Sequence, residues 1–212
     1  MRPAARYDVY LVTDRGLCLG LGLLDVIREA VAGGAGVVQL REKNLDTRAF
    51  VELALAVKRL LSPHGVPLLI NDRVDVALAA GADGVHVGQD DMPAALARKL
   101  IGAEKLLGLS VHTLEEALAA EDADVDYLGV GPIFATQTKP DAKAPIGPEG
   151  LARIRSATGR PLVGIGGIGP ENAAEVIRAG AAGVAVVSAI CAADSPRDAA
   201  ASVLLSVLTA RS

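Results

Sequence analysis

Eight short apolar runs recur along this 212-residue chain, each followed by a turn and a stretch of helical period, and that rhythm restricts the fold more than any other feature. The runs are YDVYLVT (7–13), GVVQLRE (36–42), VPLLIN (66–71), GVHVG (84–88), KLLGLS (105–110), YLGVGPIF (127–134), PLVGIGG (161–167) and GVAVVSA (183–189). They are apolar throughout rather than alternating, as strands covered on both faces must be. Strand and helix in strict succession make a parallel sheet. Ala- and Leu-rich segments lie between the runs, among them 45–62, 113–121, 148–157 and 170–180. Several open on helix-start residues: Asp46, Thr113 with Glu116 three positions on, and Pro170 in a first turn. Several close on AGG, AGA or AGAA, where glycine ends a helix. AAGADGVHV (79–87) and RAGAAGVAV (178–186) are near-copies of one helix–turn–strand unit. The expected fold is α/β, a (β/α)8 TIM barrel, compact beside the ~250 residues usual for that architecture. A doubly wound open sheet is the rival, but TDRGLCLGLGL (13–23) carries no G-x-G-x-x-G after the first run. No linker, low-complexity tract or composition shift divides the chain, so residues 1–212 read as a single domain.

Hydrophobic residues make up 51% of the chain, ample for one large core. A net charge of -4 with no polybasic stretch argues against nucleic acid and against a membrane surface as partner. Aromatic residues are only 2%, which argues against stacking platforms for bases or sugars. Cys18 and Cys191 stand far apart without CxxC spacing and read as ordinary buried thiols of a reducing compartment. The start, MRPAARYDVYLVTD, has no apolar signal-peptide core, and no apolar segment approaches the ~18 residues of a membrane span. The expectation is a soluble cytoplasmic protein; a homo-oligomer is compatible with the sequence.

In a barrel of this kind the C-terminal strand ends carry the chemistry. The second run ends Gln39-Leu40-Arg41-Glu42-Lys43, and alternation along a strand puts Gln39, Arg41 and Lys43 on the inward face, with Val38 and Leu40 outward. Three polar side chains in a barrel mouth need an internal carboxylate or an anionic or strongly accepting ligand. The third run ends Asn71-Asp72 and the fourth is followed by Gln89-Asp90-Asp91. Asp72 and Asp91 lie one strand–helix unit apart, so both project from the same rim and suit a hard cation such as Mg2+. Helix capping is the plainer use for an aspartate there, and Asp90 is the better candidate for it. Ser110 ends the fifth run, Thr113 reads as an N-cap, and His112 is a candidate base or a structural residue. His86 alternates into the barrel, and His64 lies in a turn. The sixth run leads into Ala135–Gly147, long for such a loop, lid-like, and furnished with Thr136, Gln137, Thr138 and Lys139. The seventh and eighth runs end in GIGGIG (164–169) and Val187-Ser188, where this fold builds phosphate cradles from backbone N–H groups. One rim thus offers two anion-holding regions, which two phosphorylated substrates or one bisphosphate would fill. No Ser-His-Asp order, Cys-His pair or HExxH accompanies them.

In order along nearly the whole chain, QLREK (39–43), ND (71–72), HVGQDD (86–91), GLSVHT (108–113), GPIFATQTK (131–139), GIGGI (164–168) and VVSAI (186–190) resemble the thiamine phosphate synthase family. QLREK together with TQTK is specific; GIGGI alone is not. The resemblance implies a (β/α)8 barrel that joins a pyrimidine pyrophosphate to a thiazole phosphate. It implies that Gln39, Leu40, Arg41, Glu42, Lys43, Asn71, Ser110 and Lys139 bind the pyrimidine substrate, with Arg41, Lys43 and Lys139 catalytic. It implies Mg2+ on Asp72 and Asp91, and the thiazole phosphate on Thr136, Gln137, Thr138, Gly167, Val187 and Ser188. Pro140 stands where a further polar residue is expected. The rival readings are a thiazole phosphate tautomerase on a related barrel, a Schiff-base aldolase using Lys43 or Lys139, and a non-catalytic phosphate binder.

Overall fold

The computed structural model describes residues 2–18, 20–138 and 143–212, and all structural statements concern these. The apolar runs become strands β1 (Val9–Val12), β2 (Val37–Leu40), β3 (Leu68–Asn71), β4 (Gly84–Val87), β5 (Leu106–Val111), β6 (Tyr127–Val130), β7 (Leu162–Ile165) and β8 (Gly183–Val186). All pair in parallel and in chain order, and β8 pairs with β1 to close the barrel. The intervening helices are α1 (Leu23–Ala32), α2 (Thr47–Leu61), α3 (Val74–Ala79), α4 (Ala94–Ile101), α5 (Leu114–Ala119), α6 (Gly147–Ala157), α7 (Ala173–Arg178), α8 (Ser188–Cys191) and α9 (Pro196–Arg211). The expected (β/α)8 fold is the one observed. Among the described residues no helix is long and apolar enough to cross a membrane.

Local chemistry explains the helix starts. The Asp46 carboxylate accepts the Ala49 N–H at 2.9 Å and caps α2. Thr113 and Glu116 form a reciprocal capping box on α5, as their spacing requires. Pro170 does not open α7. The helix begins at Ala173, because Asn172 closes a turn first: its Oδ1 accepts the Gly169 N–H and its Nδ2 donates to the Gly167 carbonyl, both at 2.9 Å.

Period-two alternation divides the interior into two layers. Outward residues such as Leu11, Val38, Leu40, Leu68, Ile70 and Val85 are fully buried against the helices. Each buried aliphatic side chain there contributes roughly 1.5–3 kcal/mol. Inward residues, Tyr10, Val12, Val37, Leu69, Leu106, Tyr127, Val163 and Ala185, fill the barrel itself. All three tyrosines of the chain gather there: Tyr7 packs at a tilt on Tyr127 with ring centroids 4.9 Å apart, and Tyr10 meets Tyr127 edge-on at 5.8 Å. Gly108 of β5 leaves the space that the Tyr127 ring and His86 occupy; a methyl group at that position would collide with both. Gly108→Ala is expected to destabilise the protein by about 1–3 kcal/mol, and an unchanged urea midpoint would show instead that the rings can yield.

The two cysteines, far apart in sequence, are neighbours in space. Cys18 Sγ donates to the Asp14 carbonyl at 3.4 Å, Cys191 Sγ approaches the Val12 carbonyl at 3.9 Å, and the two thiols are close enough for each to influence the other's ionisation. Both are free. Burial pushes the Cys191 thiol up to about 12, and burial followed by the nearby Asp14 charge raises Cys18. Cys191 is the buried thiol expected; Cys18 is only partly covered.

Candidate active site

A cavity of about 530 Å3 opens at the C-terminal ends of the strands. Gln39, Arg41 and Lys43 line it, the inward set of β2 and its extension. The side chains of Leu40 and Glu42 do not line it. Leu40 is fully buried in the outer layer, and the Glu42 carboxylate turns to Arg15 at 3.1 Å. Alternation is the reason: the residues between inward ones face out. Arg41 is held from both sides, its N–H donating to Thr13 Oγ1 at 3.0 Å and its guanidinium 3.5 Å from Asp14.

Asn71 and Asp72 follow on β3. Asp72 has φ 62°, in the left-handed region that few residues other than glycine enter, and it is the one such non-glycine residue among those described. Its N–H donates to the His86 carbonyl at 2.8 Å, which ties the turn to β4, and Lys43 Nζ lies 2.7 Å from its carboxylate. Asp91 accepts the Gly88 N–H at 2.7 Å. Burial first, and then a hydrogen-bonding contact with the Asp72 carboxyl, raises Asp91 above the ordinary carboxylate value; the Gly88 N–H and Lys43 oppose the shift. Neither Asp90 nor Asp91 caps a helix: α4 is preceded by Pro93 and has no side-chain cap. The two carboxylates therefore meet each other at the rim and repel. That donor set fits one hard divalent cation, whose other positions water and phosphate oxygens would fill, since the described residues include no cluster of three or more metal-ligating side chains.

Ser110 of β5 lines the cavity and closes a buried chain of hydrogen bonds. Gln39 Nε2 donates to the Tyr10 hydroxyl at 2.8 Å; Tyr10 and Tyr127 hydroxyls are 2.7 Å apart. Tyr127 meets His86 Nδ1 at 2.8 Å, and His86 Nε2 meets Ser110 Oγ at 2.8 Å. Burial lowers the His86 pKa to about 4, against a smaller opposing pull from the Asp91 charge. Tyr10, Tyr127 and His86 form the cavity floor. Sequence reading places His86 inside the barrel but does not find the tyrosines, which sit in runs that look like plain core. His112 also lines the cavity, with Nδ1 3.1 Å from the Gly131 carbonyl and its N–H bonded to Glu116.

On the opposite wall, Thr136 and Thr138 face the cavity, and the Thr138 N–H donates to Thr136 Oγ1 at 3.2 Å. Gln137 between them is exposed and does not line the cavity. Lys139 and Pro140 lie outside the described residues. Lys143, at the far end of the segment, lines the cavity and pairs with Glu116 at 3.0 Å. Gly167, Val187 and Ser188 complete the wall. Gly167 has φ 63°, and a side chain there would strike the Ala135 carbonyl and Phe134, so only glycine lets the loops after β6 and β7 meet backbone to backbone.

The family model for thiamine monophosphate synthase matches residues 9–190. A thiamine-phosphate synthase of Chloroflexus aurantiacus is 61% identical over 188 residues, 89% of this chain and 87% of that one. One from Xanthobacter autotrophicus is 55% identical over 203 residues, 96% of each chain. Among solved structures, thiamine phosphate pyrophosphorylase from Pyrococcus furiosus superposes with a TM-score of 0.89 at 40% identity, covering 98% of both chains. The chain belongs to the thiamine monophosphate synthase family of transferases.

Proposed function

We propose that the cavity binds an aminopyrimidine carrying a methylene pyrophosphate beside a thiazole phosphate, and joins them to thiamine phosphate with release of pyrophosphate. One observation carries this reading: a single cavity has a wall of Arg41, Lys43, Asp72 and Asp91 and, facing it, a wall of Thr136, Thr138, Gly167 and Ser188. The first wall suits a pyrophosphate, the second a monophosphate. Family membership agrees with small phosphorylated substrates.

In this reading Gln39, Asn71 and Ser110 hold the pyrimidine ring. The thiazole nitrogen attacks the methylene carbon, a carbon–nitrogen bond forms, and the carbon–oxygen bond to pyrophosphate breaks with its electron pair leaving on oxygen. The electron-rich aminopyrimidine supports positive charge on that carbon, so the bond to the leaving group can break ahead of attack. Arg41 and Lys43, on the cavity wall, would face the charge that develops on the pyrophosphate, a use of fixed charges that lowers barriers by several kcal/mol; the family resemblance gives Lys139, outside the described residues, the same role. The nucleophile is a neutral ring nitrogen, so no general base is needed; His86 is buried among hydroxyls and His112 is tied to the Gly131 carbonyl. Mg2+ held by Asp72 and Asp91 would supply further neutralisation of the leaving group. The rest of the chain's task is to hold both rings in line and keep water from the cationic carbon.

The test is pyrophosphate release with both substrates and Mg2+. Release is expected only when all three are present. Isomerisation of the thiazole alone, without pyrophosphate, would replace this reading with the tautomerase.

A further inference from the structure

We propose that Tyr10 and Tyr127 are positioning residues that act through His86 to turn the Ser110 hydroxyl proton into the cavity. The inference rests on the proposed reaction, in which Ser110 meets the pyrimidine ring.

The argument is a count of protons along a buried chain. Gln39, Tyr10, Tyr127 and His86 are 4%, 1%, 1% and 8% exposed, so their polar atoms must satisfy one another. Gln39 Nε2 donates to the Tyr10 oxygen at 2.8 Å. The Tyr10 proton then has one described acceptor, the Tyr127 oxygen at 2.7 Å. Were Tyr127 the donor instead, the Tyr10 oxygen would accept twice and leave its own buried proton unpaired, which is unfavourable. Tyr127 therefore gives its proton to His86 Nδ1 at 2.8 Å. An imidazole buried against hydroxyls, with no carboxylate on either nitrogen, is neutral and carries one N–H. With Nδ1 accepting, that N–H is on Nε2 and donates to Ser110 Oγ at 2.8 Å. Ser110 is left with a proton that the chain cannot accept, and the open direction is the cavity it lines. At the other end the chain uses only the Gln39 amide nitrogen, so the Gln39 carbonyl oxygen remains an acceptor. The floor thus presents an acceptor on β2 and a donor on β5, with the polarity between them set by two tyrosines whose hydroxyls are paired within the chain. A flat heterocycle with a donor on one edge and an acceptor on another, such as an aminopyrimidine, is the ligand class that this polarity selects.

The first test needs no variant and no substrate. Nitrogen-15 NMR of histidine-labelled protein should show His86 as the neutral Nε2–H tautomer near neutral pH, with His112, whose Nδ1 faces a carbonyl, as an Nδ1–H reference. An Nδ1–H tautomer or an imidazolium at His86 would overturn the proposal. The second test is Tyr127→Phe, which removes one hydroxyl. It is expected to raise KM for the pyrimidine pyrophosphate about tenfold, the worth of one hydrogen bond, with KM for the thiazole phosphate unchanged. In a Ser110→Ala background the same substitution should have no further effect, because Tyr127 acts through Ser110. Additive losses in the double variant, or equal losses for both substrates, would overturn it and make Tyr127 a packing residue. The tautomer alone decides the chain; absence of pyrophosphate release in the wild type would sink the reaction instead.

Discussion

Asp72→Asn is expected to lower kcat/KM about 100-fold at limiting Mg2+ and to raise the half-saturating Mg2+ concentration at least tenfold, on the scale of lost metal ligands and transition-state charge. Asparagine is the informative replacement. It tolerates the left-handed backbone that Asp72 adopts at φ 62°, so the turn and its bond to the His86 carbonyl survive. What is lost is one negative charge, and with it the ion pair to Lys43 and the repulsion of Asp91. Asp72→Ala would mix this effect with backbone strain. The measurement is a Mg2+ titration of pyrophosphate release in wild type and variant. Superimposable titrations would remove the metal from this pair of carboxylates and leave Asp72 as a partner that orients Lys43.

Acidification should destabilise the fold through His86. Its folded-state pKa is about 4, below the ordinary 6.5 that the unfolded chain restores. The unfolded state therefore takes up the proton first as pH falls. The contribution is complete above pH 6.5 and is lost progressively as pH drops to about 4, where the difference of about 2.5 pH units corresponds to about 3 kcal/mol. Urea denaturation of wild type and His86→Gln at several pH values across this window isolates the effect, because the carboxylates common to both proteins cancel. The wild type should lose more stability than the variant by about 3 kcal/mol over the window. Parallel pH dependences would show that His86 takes up its proton as readily in the fold as in the unfolded chain.

The barrel is legible in the sequence because both of its signals are local. Each apolar run needs only to be continuous, and each intervening segment only to keep its helical period. Gln39, Arg41 and Lys43 are legible for the same reason, since alternation fixes their side of the strand once β2 is recognised. The same rule explains why Leu40 and Glu42, although inside the motif, turn their side chains away from the cavity; Gln137, in the bend after β6, is simply exposed. Asp72 and Asp91 can be paired from a spacing of one structural unit. The floor is another matter. Tyr10 and Tyr127 are 117 residues apart on β1 and β6, and only barrel closure sets one hydroxyl against the other. In the sequence each is one more apolar residue in a strand. Cys18 and Cys191 meet for a similar reason, brought together by the closing pair β1 and β8. The start of α7 is misjudged from Pro170 because Asn172, through two hydrogen bonds to the loop after β7, delays the helix.

The gathering of every tyrosine of this chain into one ring cluster, two of whose members line the cavity, has an optical consequence. The chain contains no tryptophan, so its intrinsic emission is tyrosine emission; two of the three emitters line the candidate site and the third, Tyr7, packs against their rings. The protein thus carries its own unlabelled reporter. On the proposed reading, a pyrimidine settling over Tyr10 and Tyr127 would change the surroundings of two of the three emitters at once, whereas a ligand bound on the outer helices would change none.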